Sequence, residues 1–168
     1  MLSNELLSAI DDCTEQLISL NLTISFAESA TAGFLAYSFS QACNAGKTLK
    51  GSLVCYDACL KEDILKIPKA LIEEYTPESA EVTREMALKL LDIIDCDITV
   101  AVTGLIKPGG SESPGKPVGT MFYCILYKGV VTERKKNFTG TPQEIVNNTI
   151  EQIIQTILNL IDDDKVEE

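Results

Sequence analysis

Leu6, Ile10, Cys13 and Leu17 recur at the interval of one helical face, and this spacing predicts an amphipathic helix over residues 4–20. The apolar run 22–27 is too short for a helix and reads as a buried strand, after which residues 32–43 return to a helical pattern. Residues 51–56 read as a second strand. A short helical piece over 60–65 stops before Ile67-Pro68, where the proline disfavours helical backbone in the residue ahead of it. A longer helix opens near Pro77-Glu78, carries Val82, Met86, Leu90 and Ile93 on its inner stripe, and closes at Asp95. Residues 96–102 are rich in β-branched side chains and predict a strand. Two more strands, near 118–126 and 130–138, join through the turn Tyr127-Lys128-Gly129 as a hairpin. A last helix is predicted over 142–161, with Ile145, Thr149, Ile153 and Ile157 facing inward.

Helices alternating with strands, closed by a hairpin, imply an α/β fold: a three-layer α/β/α sandwich around a mixed sheet. Residues 1–161 read as a single domain without internal repeat or linker, and 162–168 as a solvated acidic tail. Ligands of such sheets bind beyond the carboxyl ends of the strands. Three loops expected there carry polar residues: the one holding Ser29, the one from Tyr56 to Lys61, and the one from Thr103 to Gly110.

Composition narrows the chemistry. The chain has no histidine, which excludes Ser-His-Asp and Cys-His mechanisms and any histidine-ligated zinc. A net charge of −11 argues against nucleic-acid partners and acidic membrane surfaces, yet permits an anionic small molecule that meets local cations or amides. The six cysteines form no C-x-x-C pair; Cys55 and Cys59 are close, but with no second pair a metal site is not expected. They read as reduced, mostly buried thiols of a cytoplasmic protein. The N-terminus lacks a basic leader and no apolar run reaches membrane-spanning length, so neither export nor a membrane anchor is expected.

Ala27-Glu28-Ser29-Ala30-Thr31-Ala32-Gly33 sits where a strand breaks and a helix begins. Ser29 there is either a nucleophile beside free helix amides or, with Thr31, an ordinary helix cap. With histidine absent, Lys61 is the best candidate base for Ser29, provided burial lowers its pKa by roughly 3 units. Its place in the polar run Lys61-Glu62-Asp63 equally suits a surface lysine. Tyr56 could orient the lysine or stack on a ring, or be only an aromatic at a strand end. Thr103-Gly104 offers a hydroxyl and an unhindered backbone, and Pro108-Gly109-Gly110 a loop whose amides could nest a phosphate. Lys107, Lys116 and the cluster Arg134-Lys135-Lys136 could add positive charge, although the cluster also reads as a solvated strand face.

Taken in order, these segments resemble the C-terminal domain family of the competence/damage-inducible protein CinA. The family pattern runs approximately A-E-S-C-T-G-G, Y-S-N-x-x-K, V-S-E-x-V-A-x-x-M-A, T-G-I-A-G-P-G-G and K-P-V-G-T. Its counterparts are Ala27 to Gly33, Tyr56 to Lys61, Glu78 to Ala87, Thr103 to Gly110, and Lys116-Pro117-Val118-Gly119-Thr120. The resemblance covers nearly the whole chain and looks like the family's stand-alone form, which deamidates nicotinamide mononucleotide. It implies that Ser29 attacks the carboxamide, that Lys61 takes and returns the proton, and that Tyr56 holds Lys61 or the ring. Ala30, Thr31, Gly33, Thr103, Gly104, Lys107, Gly109 and Gly110 are the implied substrate contacts, with no metal or cofactor. The implied partner is a pyridine nucleotide, and apolar surface on the terminal helices suits a homo-oligomer.

The chain departs from the pattern at Ala30, Ala32, Ala58 and Ile106-Lys107. The family's Phe-x-Gly-Asp-Arg, whose arginine is among its functional residues, is here Phe138-Thr139-Gly140-Thr141-Pro142. A second expectation follows from that loss: a degenerate member that binds a nucleotide or a partner without turnover.

Overall fold

The structure is a computed structural model that describes residues 2–167, with side chains through Asp164. Its elements are α1 (Asn4–Ser19), β1 (Ile24–Glu28), α2 (Phe34–Ser40), β2 (Leu49–Val54), α3 (Ala58–Asp63), α4 (Lys69–Tyr75), α5 (Ala80–Leu91), β3 (Ile98–Gly104), β4 (Thr120–Tyr127), β5 (Val130–Asn137) and α6 (Pro142–Glu167). The strands form one sheet in the order β2-β1-β3-β4-β5, with β1 parallel to both neighbours and β4 and β5 antiparallel. The sheet is mixed, as predicted.

Alternation along the central strands feeds two cores. Ile24, Phe26, Val100, Val102, Tyr123 and Ile125 face the layer made by α1, α2 and α6. Ala27, Ala101 and Cys124 face α5 and the segment around Leu65, Ile67 and Ile72. The second face carries small side chains, so α5 packs close through Val82, Met86, Ala87 and Leu90. Because β1 lies between two parallel neighbours, both its faces are covered and all five of its residues are buried.

Several features differ from expectation. Ile93, predicted on the inner stripe of α5, lies beyond the end of that helix and is exposed. Helix α4 was not predicted; it is short, follows Pro68 without a side-chain cap, and buries only Ile72. Strand β2 ends at Val54, which puts Tyr56 in the following loop. Helix α6 does not close at Ile161 but continues to Glu167; Glu168 lies outside the described residues. Within the supposed tail, Asp164 accepts from the Tyr127 hydroxyl at 2.9 Å and from Lys128 Nζ at 2.6 Å, which ties the helix end to the β4–β5 hairpin. Finally, only Cys13, Cys55 and Cys124 are buried, whereas Cys43 and Cys59 are exposed. Burial pushes the Cys13 and Cys124 thiols up to about 12, which leaves them unreactive.

Candidate active site

The site begins with a buried charge. Glu28, the last residue of β1, is 0% exposed. Its Oε2 accepts from Thr31 Oγ1 at 2.7 Å and from the amides of Gly33 and Leu35 at 3.0 Å. Its Oε1 accepts from the Ala36 amide at 3.0 Å and Ser52 Oγ at 2.9 Å. The carboxylate thus takes the place of a side-chain cap on α2, whose own N-cap is Gly33 in the left-handed region at φ 92°. Ser29 lies inside this arrangement, its amide bonded to Val102 O at 3.0 Å and its carbonyl to the Ala32 amide at 3.0 Å. Glu28 caps the helix, which frees Ser29 from that task.

Lys61 is 1% exposed, whereas Leu60 on α3 and Ile64 just after it are 37% and 40% exposed. This short helix turns its lysine inward and its aliphatics outward, the reverse of what packing alone would favour. Lys61 Nζ donates to Ser29 Oγ at 3.1 Å, to Cys55 O at 2.8 Å and to Tyr56 O at 3.5 Å. Burial lowers its pKa; the Glu78 carboxylate chiefly opposes that, with smaller contributions from Cys55 and Asp57. A neutral amine has two protons for the two carbonyls, and its lone pair then points at the serine hydroxyl. Removing the Glu78 charge in Glu78→Gln should lower the Lys61 pKa further. The acidic limb of the pH–kcat/KM profile is therefore expected at lower pH than in the wild type.

A cavity of about 200 Å³ opens over Ser29. Ala30, Tyr56, Glu78 and the loop from Gly104 to Gly110 complete its wall. The amides of Ala30 and Thr31 have no protein acceptor among the described residues, so two donors stand next to the nucleophile for a developing oxyanion. Lys107, Gly109 and Gly110 all line the cavity. The Gly109 amide is occupied, donating to Glu112 Oε1 at 2.7 Å.

Several expected contacts lie elsewhere. The Thr31 hydroxyl and the Gly33 amide serve Glu28 and do not face the cavity. Thr103 is fully buried with its hydroxyl on Thr83 Oγ1 at 2.8 Å, one layer behind the site. Thr83 also donates to Ser79 O, so Thr103 is the donor of the pair. Thr103→Val is accordingly expected to cost about 1 kcal/mol of stability, read by urea unfolding, with KM changed less than twofold. Tyr56 does not orient Lys61 through its ring; its backbone carbonyl does, and the residue, 54% exposed, borders the cavity.

Lys116 is absent from the cavity wall. Its Nζ bonds to Thr76 Oγ1 at 2.6 Å, Ser111 Oγ at 2.7 Å and Glu78 O at 2.8 Å, pinning the glycine loop to the start of α5. Where the family carries its arginine, Thr141 and Glu144 form a capping box: Thr141 N and Oγ1 donate to Glu144 Oε2 at 2.7 and 2.8 Å, with Pro142 as the first helical residue. Pro142 and Gln143 nonetheless border a second groove with Ala30, Thr31 and Ile106, beside the Ser29 loop.

Two participants escaped the sequence. Glu28 was visible as an acid closing an apolar strand, but nothing local says what its carboxylate meets. Glu78 reads as a first-turn helix residue and becomes a cavity wall only because the glycine loop folds over it.

A mixed-sheet α/β domain with a histidine-free serine–lysine contact at the strand ends defines the class. A family model described as the CinA C-terminal domain matches residues 7–161. A "CinA-like protein" of Petrotoga mobilis is 37% identical over 146 residues, covering 86% of this chain and 36% of that protein. "Protein MG115 homolog" of Mycoplasma pneumoniae is 29% identical over 148 residues, covering 88% of this chain and 93% of the other. The crystal structure of a competence or damage-inducible protein from Enterobacter asburiae matches with a TM-score of 0.88 at 25% identity, covering 95% of this chain and 99% of that one. A CinA superfamily protein from Escherichia coli matches with a TM-score of 0.87 at 26% identity, covering 95% and 94%. This chain belongs to the CinA C-terminal domain family. It spans little more than a third of the length of the Petrotoga relative.

Proposed function

We propose that this domain is an amidohydrolase that converts nicotinamide mononucleotide to nicotinate mononucleotide and ammonia. The observation that carries the reading is the buried Lys61 Nζ at 3.1 Å from Ser29 Oγ, in a chain without histidine. Neutral Lys61 takes the hydroxyl proton as Ser29 Oγ bonds to the carboxamide carbon, and the oxyanion forms beside the Ala30 and Thr31 amides. The lysine ammonium then protonates the departing nitrogen, ammonia leaves, and an ester of Ser29 remains. Water, losing its proton to Lys61, attacks that ester and restores the serine. Tyr56 offers a face for the ring, and the Lys107 ammonium is available to the phosphate end.

The competing reading, a domain that binds a nucleotide without turnover, draws on the capping box where the family arginine stands. Ammonia release from nicotinamide mononucleotide by the purified protein separates the two. Release abolished in Ser29→Ala supports the amidohydrolase. No release, with the nucleotide still raising the unfolding temperature, supports the binding domain.

A further inference from the structure

The cavity wall carries two charged side chains, Glu78 and Lys107. Lys107 has an obvious use toward a phosphate. A carboxylate beside a nucleophile does not: it repels an oxyanion, and it works against the low pKa that Lys61 needs as a base. Glu78 is also held in place. Ser111 Oγ donates to its Oε2 and Lys116 Nζ to its backbone carbonyl, while Oε1 has no protein donor among the described residues. Two lysines, Lys61 and Lys116, face this charge. Lys61 is neutral in the reactive state, and Lys116 is fixed by Thr76, Ser111 and the Glu78 carbonyl. One carboxylate oxygen therefore remains without a protein donor, on a residue that lines the same cavity as Ser29 and Tyr56.

We infer that Glu78 is a specificity-determining residue that pairs with a positively charged ring, so that the site selects N-substituted pyridinium amides over neutral amides of the same shape. The inference rests on the amidohydrolase reading and deepens it. An N-ribosylated nicotinamide carries a permanent positive charge on the ring nitrogen. Its carboxamide must sit at Ser29, which places the ring within the same small cavity as Glu78 and Tyr56. An aromatic face and a carboxylate are both favourable surroundings for such a cation. The ring charge also offsets the cost of a carboxylate near the reaction, since it compensates Glu78 once substrate is bound. Together, Glu78 and Lys107 give the cavity one charge of each sign, matching a ligand that is cationic at its ring and anionic at its phosphate.

The test compares two ligands that share the carboxamide, ribose and phosphate but differ in ring charge: nicotinamide mononucleotide and its reduced, uncharged 1,4-dihydropyridine form. Binding is measured by calorimetry on Ser29→Ala, which cannot turn over, and on Ser29→Ala/Glu78→Gln. The expected result is about a tenfold loss of affinity for the cationic ligand on removing the Glu78 charge, with affinity for the reduced ligand changed less than twofold. Retained binding of the reduced ligand also shows that the double variant is folded. Equal weakening of both ligands would assign Glu78 a purely structural role in holding the loop through Ser111 and overturn the inference. No change for either ligand would overturn it too, leaving the amidohydrolase reading intact. Failure of Ser29→Ala to bind either nucleotide would remove the amidohydrolase reading and the inference with it.

Discussion

Ser29→Ala and Lys61→Met are each expected to reduce kcat for ammonia release from nicotinamide mononucleotide by on the order of 10³-fold or more, with both proteins still folded. A serine hydroxyl is a poor nucleophile unless a base removes its proton, and in a chain without histidine the group in contact with Ser29 Oγ is Lys61 Nζ. Losing either partner should cost about as much as losing both, because the two act in one proton transfer. Methionine is the informative replacement at 61, since it fills nearly the same buried volume without an amine. The carbonyls of Cys55 and Tyr56 would lose a donor, but an amine would no longer have to be desolvated, so the unfolding temperature should stay within a few degrees of wild type. Initial rates by coupled ammonia assay and thermal unfolding on the same preparations check both halves.

Glu28→Ala should have the largest effect on stability, at least about 4 kcal/mol by urea unfolding. Five donors converge on this carboxylate: the hydroxyls of Thr31 and Ser52 and the amides of Gly33, Leu35 and Ala36. Each would lose its acceptor, those of Thr31 and Leu35 in a buried setting and the other three in a half-buried one, and an unmet buried donor costs about 1–3 kcal/mol before relaxation. Because the same bonds fix the turn carrying Ser29, activity should fall even under conditions where the variant is folded. Glu28→Gln keeps the shape but can accept through only one oxygen. It is expected to fall between wild type and Glu28→Ala in unfolding midpoint. A midpoint for Glu28→Ala within 1 kcal/mol of wild type would mean that water replaces the carboxylate, against the fully buried environment seen here.

The sequence carried the fold well where periodicity was strong. The inner stripe of α1, the Val82, Met86 and Leu90 positions of α5, the β-branched run of β3 and the β4–β5 hairpin all form close to the predicted positions. Their placement around a mixed sheet brought three polar loops to one end, and two of them meet in the Ser29–Lys61 contact. Burial of Lys61 was left open by the sequence, because the polar run Lys61-Glu62-Asp63 suits a surface lysine equally well. Tertiary contacts bury it, through bonds to two carbonyls and a hydroxyl. Thr31 and Thr103 show the complementary limit. One hydroxyl follows β1 and the other lies near the end of β3, and sequence offers no way to know that the first serves Glu28 and the second Thr83. Helix α4 was missed because seven residues with one buried side chain give no periodic signal. The extension of α6 past Ile161 was missed for a different reason. A run of aspartates reads as solvated, and the partners of Asp164 lie on a distant hairpin.

The central claim is that Ser29 forms a covalent ester with the substrate's acyl group. Rapid-quench intact-mass measurement during turnover of nicotinamide mononucleotide tests it most directly, with Ser29→Ala as control. A transient species heavier than the free enzyme by substrate minus ammonia is expected, mapping to the peptide that contains Ser29 and absent from the variant. Ammonia release that persists in Ser29→Ala, or an adduct on any other side chain, would contradict it.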